Sequence, residues 1–153
     1  MKDFEVRSVG YDEPAAQIVM RAALAELAGR YGGTGDDTPM DPAEFVPPQG
    51  DFVVAFLDGE PVGGAGWRAH GDEDAELKRM FTAATVRGRG IGRRVLAAVE
   101  DSARARGRRR LILEVGDLQP EAIAMYNACG YDRIENFGFY RDAPGCLSFA
   151  RVL

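Results

Sequence analysis

The residues of this chain best equipped for chemistry form the run Arg87-Gly88-Arg89-Gly90-Ile91-Gly92-Arg93. Glycine lets a backbone approach a ligand closely and take positive φ. A helical pattern opens near Ile91, so the first N–H groups of that helix lack internal partners and have the positive end of the helix dipole behind them. That combination suits a phosphate group. We read the loop as a grip on the pyrophosphate of a nucleotide-like cofactor, made by Gly88 and the backbone N–H groups of Arg89, Gly90, Ile91, Gly92 and Arg93. The side chains of Arg87, Arg89 and Arg93 stand nearby; Arg93 has the alternative of a solvated helix face. Alternating Gly and Arg is poor helix material, which weighs against a helix start with no ligand.

Other glycine loops fit less well. A Rossmann fingerprint wants G-x-G-x-x-G after the first strand of a parallel sheet. Here the spacing differs and antiparallel strands are expected upstream. A P-loop needs G-x-x-x-x-G-K-[ST], which is absent. His70 is the only histidine, and the two cysteines, Cys129 and Cys146, have no ligand spacing. No metal site and no His-based triad is therefore expected, and the cysteines read as free thiols.

The totals set outer limits. A chain of 153 residues with 46% hydrophobic and 28% charged content suits one soluble domain, residues 1–153. Net charge is −5, which disfavours wholesale binding to nucleic acid. No apolar run is long enough for a membrane span, and the N-terminus shows no secretory pattern, so a cytoplasmic protein without membrane partners is expected. Lys2 and Lys78 are the only lysines among 19 basic residues. With many Ala and Gly, that bias suggests a GC-rich bacterial source.

These residues must be positioned by a particular order of elements. Phe4–Val9 alternates like a half-buried strand. Asp12 is placed to cap a helix with Pro14 in its first turn, ended by Gly29 and Gly32-Gly33. Thr34–Gly50 is a long polar loop with a short helix at Pro42–Phe45; it is either a lid over the substrate or a mobile surface loop. Asp51–Leu57 and Pro61–Arg68 form a hairpin about Asp58-Gly59, and Gly63-Gly64-Ala65-Gly66 can mark a close backbone approach. Ala75–Thr82 is the third strand. The next helix carries Ile91, Val95, Leu96, Val99 and Ala103 on one face, with Arg104 able to pair with Glu100. Leu111–Val115 is a short apolar strand suited to a buried parallel position. A helix from Pro120 to Gly130 and two closing strands, Asp132–Phe137 and Ser148–Val152, complete the order β-α-β-β-β-α-β-α-β-β. The crossover Ala75–Val115 should be right-handed and place its strands parallel, with the glycine loop at the C-terminal end of the first.

With these elements in place, Arg87-Gly88-Arg89-Gly90-Ile91-Gly92 is similar to Arg/Gln-x-x-Gly-x-Gly/Ala, the acyl-CoA pyrophosphate signature of the GNAT superfamily of N-acyltransferases. The strand ending at Thr82, the strand Leu111–Val115 and the helix containing Met125-Tyr126-Asn127, closed by Gly130-Tyr131, sit where that superfamily has them. The resemblance implies an α/β (α+β) fold: a single mixed, mostly antiparallel sheet with a central parallel β-α-β pair splayed at the cofactor site, and helices on both faces. It implies acetyl-CoA, or coenzyme A, as co-substrate and acyl transfer to an amine, most often of acetyl.

The resemblance also assigns roles. The backbone of Met80, Phe81 and Thr82 would pair with the pantetheine arm, and the Met80 N–H would polarise the thioester carbonyl. Tyr126 would face the sulfur as general acid or hydrogen-bond donor, the alternative being a core tyrosine; Asn127 either touches the cofactor or is surface. Glu76, eleven residues before Arg87, is the candidate base, by analogy with histone-type members. Its alternative is an ion pair with Lys78 on the same strand face. Glu114 is the rival base, because a carboxylate inside an apolar strand is rarely buried without a partner. His70 reads as surface. The aromatic stretch Asn136–Pro144 could line the acceptor pocket or a dimer contact, and Arg141 could hold a carboxylate. The leading expectation is an N-acetyltransferase acting on a small-molecule or amino-acid amine, as monomer or homodimer. A protein or peptide acetyltransferase and a non-catalytic acyl-CoA sensor are the rivals.

Overall fold

The computed structural model describes residues 3–153. Phe4–Ser8 (β1), Gly50–Leu57 (β2), Glu60–His70 (β3), Asp74–Thr82 (β4), Arg110–Gly116 (β5), Asp132–Ile134 (β6) and Cys146–Val152 (β7) build one sheet, ordered β1-β2-β3-β4-β5-β7-β6. Every neighbouring pair is antiparallel except β4–β5. Three helices accompany it: Pro14–Tyr31 (α1), Ile91–Ala105 (α2) and Pro120–Ala128 (α3). The closing strands differ in extent from the sequence expectation. β6 stops at Ile134, and β7 starts at Cys146, because β5 offers it partners down to Gly116.

Both faces of the sheet are covered, which explains why β2 reads as an unbroken apolar run. Phe52, Val54 and Phe56 pack with Ala16, Val19 and Met20 of α1, while Val53 and Ala55 join the larger core with Val95, Leu96 and Val99 of α2. Tyr126 of α3 belongs to that second core. The β2–β3 turn has Asp58 at φ 51° and Gly59 at φ 83°, the paired positive φ of a type I′ hairpin. On β3, a Cβ at Gly64 would come 2.6 Å from the Val53 carbonyl, and one at Gly66 would come 2.8 Å from the Phe45 and Phe52 rings. Gly66 lets Phe45, from the short 3-10 helix Pro42–Phe45, pack on the sheet, and Gly64 leaves room for Val19 of α1.

Local details depart from the sequence reading in two places. Glu13, not Asp12, is the N-cap position of α1, and the Glu13 carboxylate reaches back to accept from the Gly10 N–H at 2.6 Å. Arg104 pairs with Asp101 at 2.9 Å rather than with Glu100. Glu100 is buried and holds Arg151 and the Tyr131 hydroxyl, so tertiary partners outcompete the helical pair.

One feature of the sheet positions the site. β4 and β5 pair only at Asp74–Arg110, Ala75–Leu111 and Glu76–Ile112, although both strands continue. Past Glu76 the β3–β4 register slips between Gly64 and Gly66, with three steps on β4 for two on β3, and Arg79 sits at φ 60°. An extra residue in one strand bends it and raises its twist. β4 therefore turns away from β5, and a wedge opens between Lys78–Thr82 and Leu113–Gly116.

Candidate active site

The glycine loop and the wedge together form a cavity of about 450 Å³. Its walls are Met80, Phe81 and Thr82 of β4, then Arg87, Gly88, Gly90, Ile91, Gly92 and Arg93, and on the far side Gln119, the N-cap of α3, with Ala122 and Met125 of that helix. Gly88 and Gly90 have φ of 81° and 78°, and Gly90 is the N-cap of α2. A Cβ at either would meet nothing within 4 Å, so open space lies beside the loop. The free N–H groups of α2 start there. This is a site a pyrophosphate could occupy on dipole and donor grounds.

The arginines are less uniform than the sequence suggests. Arg87 gives its Nε–H to the Thr82 carbonyl at 3.0 Å and also bonds the Glu26 carboxylate, so its guanidinium is already engaged. Arg93 lines the cavity; Arg89 and Asn127 are exposed and lie off its wall. Three charged wall residues were not among the candidates from the sequence, Glu26 and Arg30 of α1 and Glu121 of α3, and neither was Gln119. Arg30 bridges Glu121 at 2.6 Å and the Leu118 carbonyl at 2.7 Å, tying α1 to α3 beside the groove. Such charges look like ordinary helix surface until the helices are docked.

A second cavity, about 260 Å³, adjoins the first, and Gln119 lines both. Lys78 and Glu114 face it from the two sides of the wedge. Gly35 and Asp36 come from the long loop, and Tyr140, Ala143 and Pro144 from the aromatic stretch. The two loops are clasped together. The Tyr140 hydroxyl donates to Asp36 at 2.8 Å and accepts from the Asp37 N–H at 2.7 Å. Asp36 also lies 3.6 Å from the Lys78 ammonium and 3.4 Å from Arg79. Arg141 points elsewhere, exposed beside Asp142 at 3.8 Å.

Burial alone would raise the Asp36 pKa, but Lys78, the Thr38 hydroxyl and N–H, and Arg79 outweigh it and hold the carboxyl at about 2. A depressed carboxyl stabilises the fold above its unfolded pKa and loses that contribution as pH falls through the folded value. The clasp should therefore persist at pH 4 and release only as pH approaches 2. An NMR titration of the Asp36 carboxyl carbon should show a midpoint near 2; a midpoint in the ordinary range of about 3.9 would contradict this account of the clasp.

Glu114 has a different environment. Its Oε2 accepts from the Tyr140 N–H at 3.1 Å, and its Oε1 is buried with no hydrogen-bond partner. Gly138 lies against it so closely that a Cβ there would come 2.5 Å from Oε1. Burial raises the Glu114 pKa, with Glu76 adding to the shift and the Tyr140 N–H and Lys78 opposing it. The Cys146 thiol, 3.7 Å from Oε2, is raised to about 11 by burial and by the carboxylate.

Glu76 and Tyr126 sit apart from both walls. Glu76 is 4% exposed, pairs with Ile112 at the last closed rung of the wedge, and forms its ion pair with Arg68 at 3.1 Å. The Glu76–Lys78 pair, the alternative to a base role, does not form, because Arg68 directly opposes Glu76 on β3. His70 lies 3.9 Å from Glu76 and edge-on to Phe137. Tyr126 is 4% exposed, its ring 5.8 Å from that of Tyr131 and 6.5 Å from that of Phe149. Burial pushes its hydroxyl pKa far up, with Cys129 adding.

Residues 20–131 match the model of the Acetyltransferase (GNAT) family. The chain belongs to that family. This GNAT protein is 40% identical to an IAA acetyltransferase of Azospirillum brasilense, over 95% of this chain and 97% of that one. Its fold is that of a provisionally assigned acyl-CoA N-acyltransferase from Klebsiella pneumoniae, with a TM-score of 0.81 at 24% identity over 98% and 97% of the two chains. A GNAT family acetyltransferase from Elizabethkingia anophelis, solved with acetyl-CoA bound, superposes with a TM-score of 0.69 at 17% identity and covers 98% of each chain. The protein is thus a GNAT-family acetyltransferase, and acetyl-CoA is the donor that this family uses. Among the described residues, no helix is long and apolar enough to cross a membrane.

Proposed function

We propose that this chain transfers the acetyl group of acetyl-CoA to the primary amine of a small molecule. The observation that carries this reading is the pair of cavities meeting at Gln119 on either side of the wedge. One has a helix N-terminus for phosphates. The other has a carboxylate with a raised pKa and is small for a ligand site, below the range of about 300–1,000 Å³ for drug-sized molecules. The loops clasped by Asp36 and Tyr140 border it, which favours a small acceptor over a protein chain.

Past the bulge, the β5-facing edge of Met80–Thr82 has no strand partner, so the N–H groups on that edge are available to a thioester carbonyl, where a donor strengthens as an oxyanion develops. We assign the base to Glu114 rather than Glu76, since Glu76 is committed to Arg68 below the wedge. An acceptor amine arrives mostly protonated. Glu114 takes that proton directly or through a water; the amine nitrogen bonds to the acetyl carbon; the carbon–sulfur bond breaks. The sulfur leaves with the bonding pair and takes a proton, and the amine's second proton is lost to solvent. The products are the acetylated amine, free CoA thiol and a released proton. Tyr126 is the donor that family resemblance assigns to the sulfur; it lines neither cavity itself and follows Met125 of the donor-cavity wall.

Tyr126→Phe removes the hydroxyl while keeping the ring in the core. It should lower kcat by about 10- to 100-fold, toward the low end of acid–base contributions, with the melting temperature nearly unchanged. Unchanged kcat would reduce Tyr126 to a packing residue. The reading as a whole is tested by thiol release from acetyl-CoA with a panel of amines. IAA is assayed separately beside that panel, because the 40% identical relative is named for it. Turnover with several small amines and none with lysine-containing peptides is expected. Turnover with the peptides alone would overturn it.

A further inference from the structure

Lys78 and Glu114 stand at positions the parallel register would bring together. Glu76 pairs with Ile112, so two residues further along each strand Lys78 would meet Glu114. The wedge intervenes, and no ion pair forms between them; Lys78 instead pairs with Asp36. Both remain on the wall of the smaller cavity. Separated charges at a partly dry site are costly unless something completes them.

Each side has unused capacity. The Lys78 ammonium is 8% exposed, gives one hydrogen bond to the Thr38 hydroxyl at 3.1 Å and lies 3.6 Å from Asp36. An ammonium has three donors, so one is left over. Arg79 shares the same Asp36 carboxylate at 3.4 Å, which leaves a positive excess on this side. Across the wedge, Glu114 lines the cavity with a carboxylate whose Oε1, buried against Gly138, has no hydrogen-bond partner. The rest of the wall is largely apolar, with Leu27, Val115, Ala143 and Pro144.

We propose that the acceptor is a small zwitterionic amine, an α-amino acid or close analogue with an apolar side chain, whose carboxylate is held by Lys78 and whose amine is presented to Glu114. This deepens the acetyl-transfer reading and rests on it. Lys78 is then a specificity-determining residue, and the product is an N-acetyl amino acid that keeps its carboxylate on Lys78. The wedge acquires a purpose on the acceptor side: it holds apart two charges that a bifunctional substrate reunites.

The test uses the full-length wild-type protein with saturating acetyl-CoA. Each L-amino acid with an apolar side chain is compared with its decarboxylated amine and its methyl ester, by thiol release. The free acid should exceed both in kcat/KM by about 10- to 100-fold, the scale of a charge-assisted hydrogen bond. Lys78→Met should erase most of the acid's advantage over its methyl ester and decarboxylated amine, a change in ratio that a general loss of activity through the Asp36 clasp or Glu114 would not produce. If that variant fails to fold, the ester comparison on the wild type still decides. Equal use of acid, amine and ester would overturn the zwitterion proposal while leaving acetyl transfer intact. Acetyl-CoA binding with no turnover of any amine would overturn both.

Discussion

Glu114→Gln is expected to lower kcat by about two to four orders of magnitude, the range of a lost general base, with the KM for acetyl-CoA little changed. The amide keeps the shape of the side chain and can still accept from the Tyr140 N–H, as Oε2 does at 3.1 Å. What it loses is the proton acceptor. The wild-type rate should rise with pH through the raised Glu114 pKa, and that acid limb should vanish in the amide. Stability should move the other way. A carboxyl whose folded pKa lies above its unfolded value makes the fold less stable as pH rises through the folded pKa. Glu114→Gln should therefore melt higher than wild type at pH 7 and no higher at pH 4. A variant with wild-type kcat would move the base elsewhere, and one with lower stability at pH 7 would contradict the burial argument.

Gly90→Asp should weaken acetyl-CoA binding by about 10- to 1,000-fold, since a unit charge a few ångströms from an anion costs about 1–4 kcal/mol across the relevant dielectric range. The choice of Asp separates binding from folding. Gly90 sits at φ 78° at the N-cap of α2, and a Cβ there has open space. Aspartate tolerates that conformation better than most residues and is a favoured N-cap. The fold should survive with a melting temperature lowered by a few degrees, the scale of one left-handed non-glycine residue, while titration calorimetry reports the lost affinity. Unchanged affinity would mean that the phosphates do not lie at this loop.

Much of the fold was legible in the sequence because local and global signals agree. The Asp58-Gly59 turn, the apolar run of β2 and the α2 stripe each have one physical reading, and the strand order follows from them. The bulge that opens the wedge was expected only through family resemblance; nothing about Arg79 itself marks it for φ 60°. The glycine loop was readable as an anion cradle because its chemistry is carried by contiguous backbone. The smaller cavity was legible only in part, through the Thr34–Gly50 loop and the Asn136–Pro144 stretch, because it is assembled from four distant segments. Asp36 gave no local sign that it would meet Tyr140, nor Lys78 that it would face Glu114 across a gap. Glu76 and Glu114 looked alike on their strands, and only the partner strand, with Arg68 opposite Glu76 and Gly138 pressed on Glu114, tells them apart.

On the proposed function, the two cavities joined at Gln119 are the donor and acceptor halves of one transfer site. The most direct measurement is stoichiometry. Purified protein, acetyl-CoA and an amine acceptor are incubated together, and free thiol and acetylated amine are counted in the same sample by absorbance and mass spectrometry. The account predicts one acetylated amine per thiol released, and loss of both together in Glu114→Gln. Thiol release with no acetylated amine, or tight acetyl-CoA binding with neither product, would contradict it.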